Sequence, residues 1–165
     1  MFNFFKRSPV DSNRLVAIVN GRTIPLEEVP DQTFAQKVIG NGIGFEPEGD
    51  TIKAPSDGEI VMIANTLHAI GIKLDNGMEV LIHIGLDTVN LHGKGFKLKV
   101  NKNDRVKAGQ SLISFDRNVM EENNINMITV LVITNENDYD LEMNDYGCVR
   151  AGKDTVIRIN KRKTC

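Results

Sequence analysis

The apolar residues of this chain come in short runs, each bounded by a cluster of turn-formers. The runs are rich in Val and Ile: Leu15 to Val19, Gly58 to Ile63, Ile70 to Leu74, Val80 to Ile84, Leu112 to Phe115, Ile128 to Ile133 and Val156 to Ile159. Between them lie stretches such as Pro55-Ser56-Asp57-Gly58 and Asn101-Lys102-Asn103-Asp104. Short β-branched runs punctuated by Gly, Asn, Asp and Pro predict an all-β sandwich or barrel. Two short helical turns interrupt it. One follows Asp116, a good N-cap, over Arg117 to Asn124, and one covers Phe34 to Val38.

With 165 residues, 41% of them hydrophobic, the chain can bury one core. Residues 14 to 165 are expected to form a single domain behind a flexible leader, residues 1 to 13, which lacks a periodic pattern. A net charge of −2, with Lys and Arg scattered singly, leaves no electrostatic footprint for nucleic acid. No apolar run approaches the roughly 20 residues of a membrane span, and the N-terminus is too short for a signal peptide. A cytosolic protein is expected. Phe2, Phe4 and Phe5 beside Lys6 and Arg7 have the make-up of a segment that touches the inner face of a membrane, although a frayed terminus is the favoured reading. The two cysteines, Cys148 and Cys165, argue against a disulfide framework or a thiolate zinc cage.

His68 and His83 flank the turn signal Asp75-Asn76-Gly77, which reads as the tip of a β-hairpin. With Asn76 and Gly77 central, Ile70 lies opposite His83 and His68 is its diagonal neighbour. With Asp75 and Asn76 central, the two histidines face each other. Either register puts both rings on one face, with Cβ atoms about 5 Å apart if opposite and roughly 7–8 Å if diagonal. A three-residue loop would separate them, because a slip of one residue reverses the face. On the two-residue turns, Val80, Ile82, Ile84 and Ala69 point away from the histidines, and Ile70, Ile72 and Leu81 surround them as an apolar docking surface.

Paired imidazoles suit three kinds of chemistry. One ring can take and return a phosphoryl group while the other donates a hydrogen bond to its oxygens, with the Thr66 hydroxyl holding the His68 ring. A zinc ion can take both rings, with Asp87 at H-x-x-x-D spacing as a third ligand. Lysostaphin-type zinc endopeptidases use a comparable spacing but also need an H-x-H, which is absent here. Or both rings are satisfied sheet residues. Asp87 either bonds His83 or caps the next turn, and His92 belongs to a glycine-rich turn after the hairpin. A weak internal echo pairs Val106-Lys107-Ala108-Gly109 with Val149-Arg150-Ala151-Gly152, suggesting duplicated half-motifs.

Gly58-Glu59-Ile60-Val61, Thr66-Leu67-His68-Ala69, Leu81-Ile82-His83-Ile84-Gly85-Leu86-Asp87-Thr88-Val89 and Gly93-Lys94-Gly95-Phe96 together resemble the glucose-family enzyme IIA of the bacterial phosphoenolpyruvate-dependent sugar phosphotransferase system. The likeness extends over about residues 14 to 160. It implies an antiparallel β-sandwich of the duplicated hybrid motif type, and a phosphocarrier phosphorylated on the Nε2 of His83. The histidine phosphocarrier HPr would donate, and a cysteine on the IIB domain of a glucose-type sugar permease would accept. His68 would assist transfer and Thr66 would belong to its hydrogen-bond network. The resemblance implies no required cofactor. Zinc, where it binds in this family, would use His68 and His83 with a further ligand from a partner. Ala64, Ile70 and Leu81 stand where relatives often carry aromatic residues around the active face, and Thr129-Val130 stands for the commoner Thr-Pro. A regulatory module whose docking to client proteins is switched by phosphorylation is the competing reading.

Overall fold

Val80, Ile82 and Ile84 are buried while Leu81 and His83 between them are half-buried, and this two-residue period, which turns alternate side chains to opposite faces, organises the sheets. The computed structural model describes residues 12–162. Its strands are β1 (Arg14–Val16), β2 (Gly21–Pro25), β3 (Asn41–Pro47), β4 (Thr51–Lys53), β5 (Gly58–Ile63), β6 (Ala69–Leu74), β7 (Glu79–His83), β8 (Phe96–Leu98), β9 (Arg105–Val106), β10 (Ser111–Phe115), β11 (Thr129–Ile133), β12 (Tyr139–Met143), β13 (Cys148–Val149) and β14 (Thr155–Lys161). An eight-stranded sheet runs β13-β2-β3-β11-β7-β6-β5-β9, and two three-stranded sheets run β1-β14-β12 and β4-β10-β8. The chain is an antiparallel β-sandwich with few helices. The expected leader lies outside the described residues up to residue 11, as does Cys165. Ser12 and Asn13 are already bonded into the fold: the Ser12 carbonyl accepts from Asn76 Nδ2 at 2.7 Å and the Asn13 carbonyl from the Ile159 N–H at 2.8 Å.

Helix α1 (Gln32–Ala35) begins two residues before the expected span, because the Asp31 side chain caps it by accepting the Thr33 N–H at 2.9 Å. Helix α2 (Arg117–Glu122) starts where predicted, with Asp116 accepting from Asn118 N and Val119 N.

The internal echo recurs in the fold as two equivalently bonded turns. In one copy Gly109 N–H donates to the Ala54 carbonyl and Ala108 N–H to Asp57 Oδ1, both at 2.8 Å. In the other, Gly152 N–H donates to the Ala17 carbonyl and Ala151 N–H to Asn20 Oδ1, again both at 2.8 Å. Of the stretches they grip, Ala17-Ile18-Val19-Asn20-Gly21 and Ala54-Pro55-Ser56-Asp57-Gly58, each accepts a bond from the residue just before the other: Val16 N–H to the Pro55 carbonyl at 2.9 Å and Lys53 N–H to the Ile18 carbonyl at 2.7 Å. Gly109 and Gly152 have φ of +82° and +75° and lie back to back, so that a Cβ on Gly152 would come 3.0 Å from Gly109 Cα.

The main core, which includes Leu15, Phe45, Ile60, Ile72, Ile82 and Leu131, fills the interior. A second cluster, Ile24, Leu26, Val29, Phe34, Leu86, Val130 and Val132, covers the other face of the large sheet. Residues of β11 alternate between the two, Val130 and Val132 to the second cluster and Leu131 and Ile133 to the main core. The short helices Leu26–Glu28 and α1 contribute to the second cluster.

Candidate active site

The hairpin of β6 and β7 is built on a three-residue loop, not on either expected two-residue turn. Ala69 pairs with His83, Gly71 with Leu81 and Lys73 with Glu79, leaving Asp75, Asn76 and Gly77 as the loop. Gly77, at φ +92°, donates its N–H to the Leu74 carbonyl at 2.9 Å, and Asn76 Oδ1 accepts the Met78 N–H at 2.9 Å. The expected faces change with the register. Ile70 and Ile72 join Val80, Ile82 and Ile84 in the main core, while Ala69 and Gly71 pair with His83 and Leu81 on the outer face.

The histidines nonetheless meet, with ring centroids 5.0 Å apart and planes at 76°. Strand parity does not bind His68, because it precedes β6. Ala64 N–H donates to the Ala69 carbonyl at 3.0 Å and closes the loop Asn65-Thr66-Leu67-His68. Leu67 takes a left-handed conformation at φ +59°, a strain of about 1–3 kcal/mol for a non-glycine residue. His68 leaves that loop with its carbonyl still bonded to the Ile84 N–H at 2.7 Å and its ring beside His83. Thr66 lies in the same loop and not on an extended strand, and its Oγ1 is 2.5 Å from His68 Nδ1.

His83 closes β7 between Ala69 on β6 and Val130 on β11. Its Nδ1 lies 2.8 Å from the Gly85 carbonyl, which can only accept, so Nδ1 carries the proton and Nε2 the lone pair. The buried Phe34 ring lies 5.0 Å from it. Burial, and then the neighbouring His68, hold the His83 pKa below the usual imidazole value, against opposing pulls from the Gly85 carbonyl, Asp31 and Asp87. Burial lowers His68 as well. Both rings are therefore neutral at pH 7.

Asp87 neither bonds His83 nor caps the next turn: it is exposed, left-handed at φ +57°, and its side chain makes no capping bond to the helical turn Thr88–Leu91. It acts on His83 through its charge alone. Asp31 and Asp87 line a groove of about 520 Å³ with Pro30, Leu86, Asn90 and Asn126. His92 is exposed at the end of that turn. Among the described residues no group of three or more His, Cys, Asp or Glu is placed to hold a metal ion, so Asp87 does not complete a zinc site with the two rings. No helix among them is long and apolar enough to cross a membrane.

Sequence reasoning passed over Phe34 and the Gly85 carbonyl. Asp31 as an N-cap could have shifted the helix to its true start, but nothing local shows that its Phe packs on a histidine from a distant hairpin.

Residues 13–139 match the family model described as phosphoenolpyruvate-dependent sugar phosphotransferase system, EIIA 1. The chain is 40% identical over 160 residues to the PTS system glucose-specific EIIA component of Oceanobacillus iheyensis, covering 96% of each. It is 48% identical over 140 residues to the PTS system glucose-specific EIICBA component of Staphylococcus saprophyticus, covering 85% of this chain and 20% of that protein. The chain thus spans about a fifth of the length of the fused relatives it matches. Among solved structures, the glucose permease IIA from Mycoplasma capricolum superimposes with a TM-score of 0.81 at 34% identity, over 87% of this chain and 93% of that one.

Proposed function

Because the chain belongs to the EIIA 1 family of the phosphoenolpyruvate-dependent sugar phosphotransferase system, we propose that it carries a phosphoryl group on His83 Nε2 from phospho-HPr to the IIB cysteine of a glucose-type permease. The observation that carries this reading is the bond from His83 Nδ1 to the Gly85 carbonyl, which leaves the Nε2 lone pair beside a second imidazole. The lone pair attacks phosphorus, the P–N bond to the donor histidine breaks, and the donor ring recovers its electron pair. On delivery the cysteine thiolate attacks and Nε2 leaves with its pair.

His68 serves the step as a donor. With the Thr66 hydroxyl donating a hydrogen bond to His68 Nδ1, the His68 proton sits on Nε2, where it can bond the phosphoryl oxygens as charge builds on them. The two rings then hold opposite tautomers, one nucleophilic and one donating. Asp31 and Asp87 beside the groove favour partners that present cationic side chains around the transferred group. Such a carrier works in the cytoplasm, where its donor is. Zinc bound between the rings would need its remaining ligands from a docked partner, since the described residues offer two imidazoles there and no third group.

A regulatory role is supported by a different observation. Val38 and Val89, 71% and 48% exposed, flank the segments that carry Phe34 and Asp87. A dianionic phosphoryl group among such residues opposes apolar docking, so client proteins would bind the free form better than the phosphorylated one.

Intact-mass measurement after incubation with phosphoenolpyruvate, enzyme I and HPr tests the carrier reading. One acid-labile phosphate per chain is expected, and normal labelling of His83→Ala would reject the assignment.

A further inference from the structure

Thr88 is one of four buried polar residues among the described residues, and nothing in the proposed chemistry uses it. Its hydroxyl donates to the Ile84 carbonyl at 2.6 Å. Its methyl faces Gly85: a Cβ built there would lie 2.6 Å from Thr88 Cγ2, and Gly85 is left-handed at φ +72°. Thr88 thus grips the residue before Gly85 by a hydrogen bond and Gly85 itself by contact.

The peptide unit from Gly85 to Leu86 is held at both ends. Its carbonyl accepts from His83 Nδ1 at 2.8 Å, and its N–H donates to the Asn126 carbonyl at 2.8 Å. Asn126 is fixed in turn by its own side chain, whose Oδ1 accepts the Ile128 N–H at 3.0 Å. Three residues on from Ile128 lies the middle of β11, and Val130 of that strand pairs with His83. The bonds therefore close a circuit from His83 through Gly85, Leu86 and Asn126 back to the strand beside His83. An amide whose N–H is already bonded presents a more strongly accepting carbonyl.

We propose that Thr88 and Asn126 are positioning residues that hold the Gly85–Leu86 peptide in place and thereby keep the His83 proton on Nδ1. The inference rests on the reading of His83 as the phosphoryl acceptor. A free histidine side chain in water prefers its proton on Nε2, and in that form the nitrogen has no lone pair to attack phosphorus. The circuit holds the other tautomer before any donor arrives.

Ring ¹⁵N chemical shifts of His83 report the tautomer without any phosphotransfer, and acceptance from phospho-HPr reports its consequence. Thr88→Val, which keeps the shape and removes the hydroxyl, is expected to move the ring signals towards the Nε2–H form. Acceptance should slow about fivefold, the worth of one hydrogen bond, with KM for the donor unchanged, and Thr88→Ser should restore both readouts. Asn126→Ala, in an exposed turn, should move the signals the same way, and Asn126→Ser should restore them in part. Asn126→Ala carries the test if Thr88→Val does not fold. A folded Asn126→Ala or Thr88→Val with wild-type ring signals overturns the inference. If the wild-type chain takes no phosphate while the variants still shift the ring signals, the carrier reading fails and the positioning role stands.

Discussion

His83 and His68 touch, yet they are held by different kinds of structure. His83 is paired on both sides by strands, packed under Phe34 and tied at Nδ1 to a main-chain carbonyl. His68 leaves a four-residue loop behind a left-handed Leu67 and is tied at Nδ1 to a side-chain hydroxyl. A main-chain anchor inside a sheet fixes position and tautomer together, whereas a hydroxyl can rotate and act as donor or acceptor. The roles proposed above follow this contrast, with the nucleophile on the rigid ring and the adjustable hydrogen bond on the other.

The sharpest way to break this contrast is to exchange the losses. His83→Ala should abolish acceptance of phosphate, while His68→Ala should still be labelled but pass the group on more slowly by a factor on the order of 10². Equal defects in labelling would remove the distinction between the two rings. Thr66→Val tests the anchor of His68 alone: delivery should slow by roughly fivefold to tenfold, as for one lost hydrogen bond, with labelling of His83 unchanged in single-turnover measurements.

Acidity tests the other side of the comparison. Burial lowers both pKa values, so acceptance should persist as pH falls below about 6.5, where an unburied imidazole would already be half protonated. Each ring binds a proton less readily folded than unfolded. The stability this contributes is present above about pH 6.5, the unfolded value, and is lost progressively as pH falls from there through the lowered folded values. Denaturant titrations should show a gentler loss in His83→Ala than in the wild type. The smallest effect is expected from Asp87→Asn, which removes a charge that raises the His83 pKa and should displace its NMR titration to lower pH. A displacement to higher pH would contradict the electrostatic role given to Asp87.

Strands such as β5, β7 and β11 are legible in the sequence because Val and Ile mark them. β3 is absent from those runs, because Gly42 and Gly44 interrupt its apolar residues. In the fold those glycines serve close approach: a Cβ at Gly42 would strike the Leu131 carbonyl, and one at Gly44 would come 2.8 Å from the Ile24 side chain. The histidine pair was legible too, but by a different route from the one hairpin geometry offered. Either two-residue turn puts both rings on one face, Asp75-Asn76-Gly77 closes as a three-residue loop, and the resulting reversal of faces is offset by His68 lying before the strand. The Thr66–His68 bond survives because it is local. Phe34 against His83 and Asn126 behind Leu86 are contacts between distant segments, and no periodicity carries them.

The back-to-back turns at Gly109 and Gly152 bear on how the chain reaches its native state. Each turn clasps a stretch from far upstream, and the residue before each clasped stretch bonds the other, so the second repeat closes only when Gly152 has met Ala17 across most of the described chain. Pairings of such long range place the domain among slow folders, on the millisecond-to-second scale rather than the microsecond scale of helical bundles.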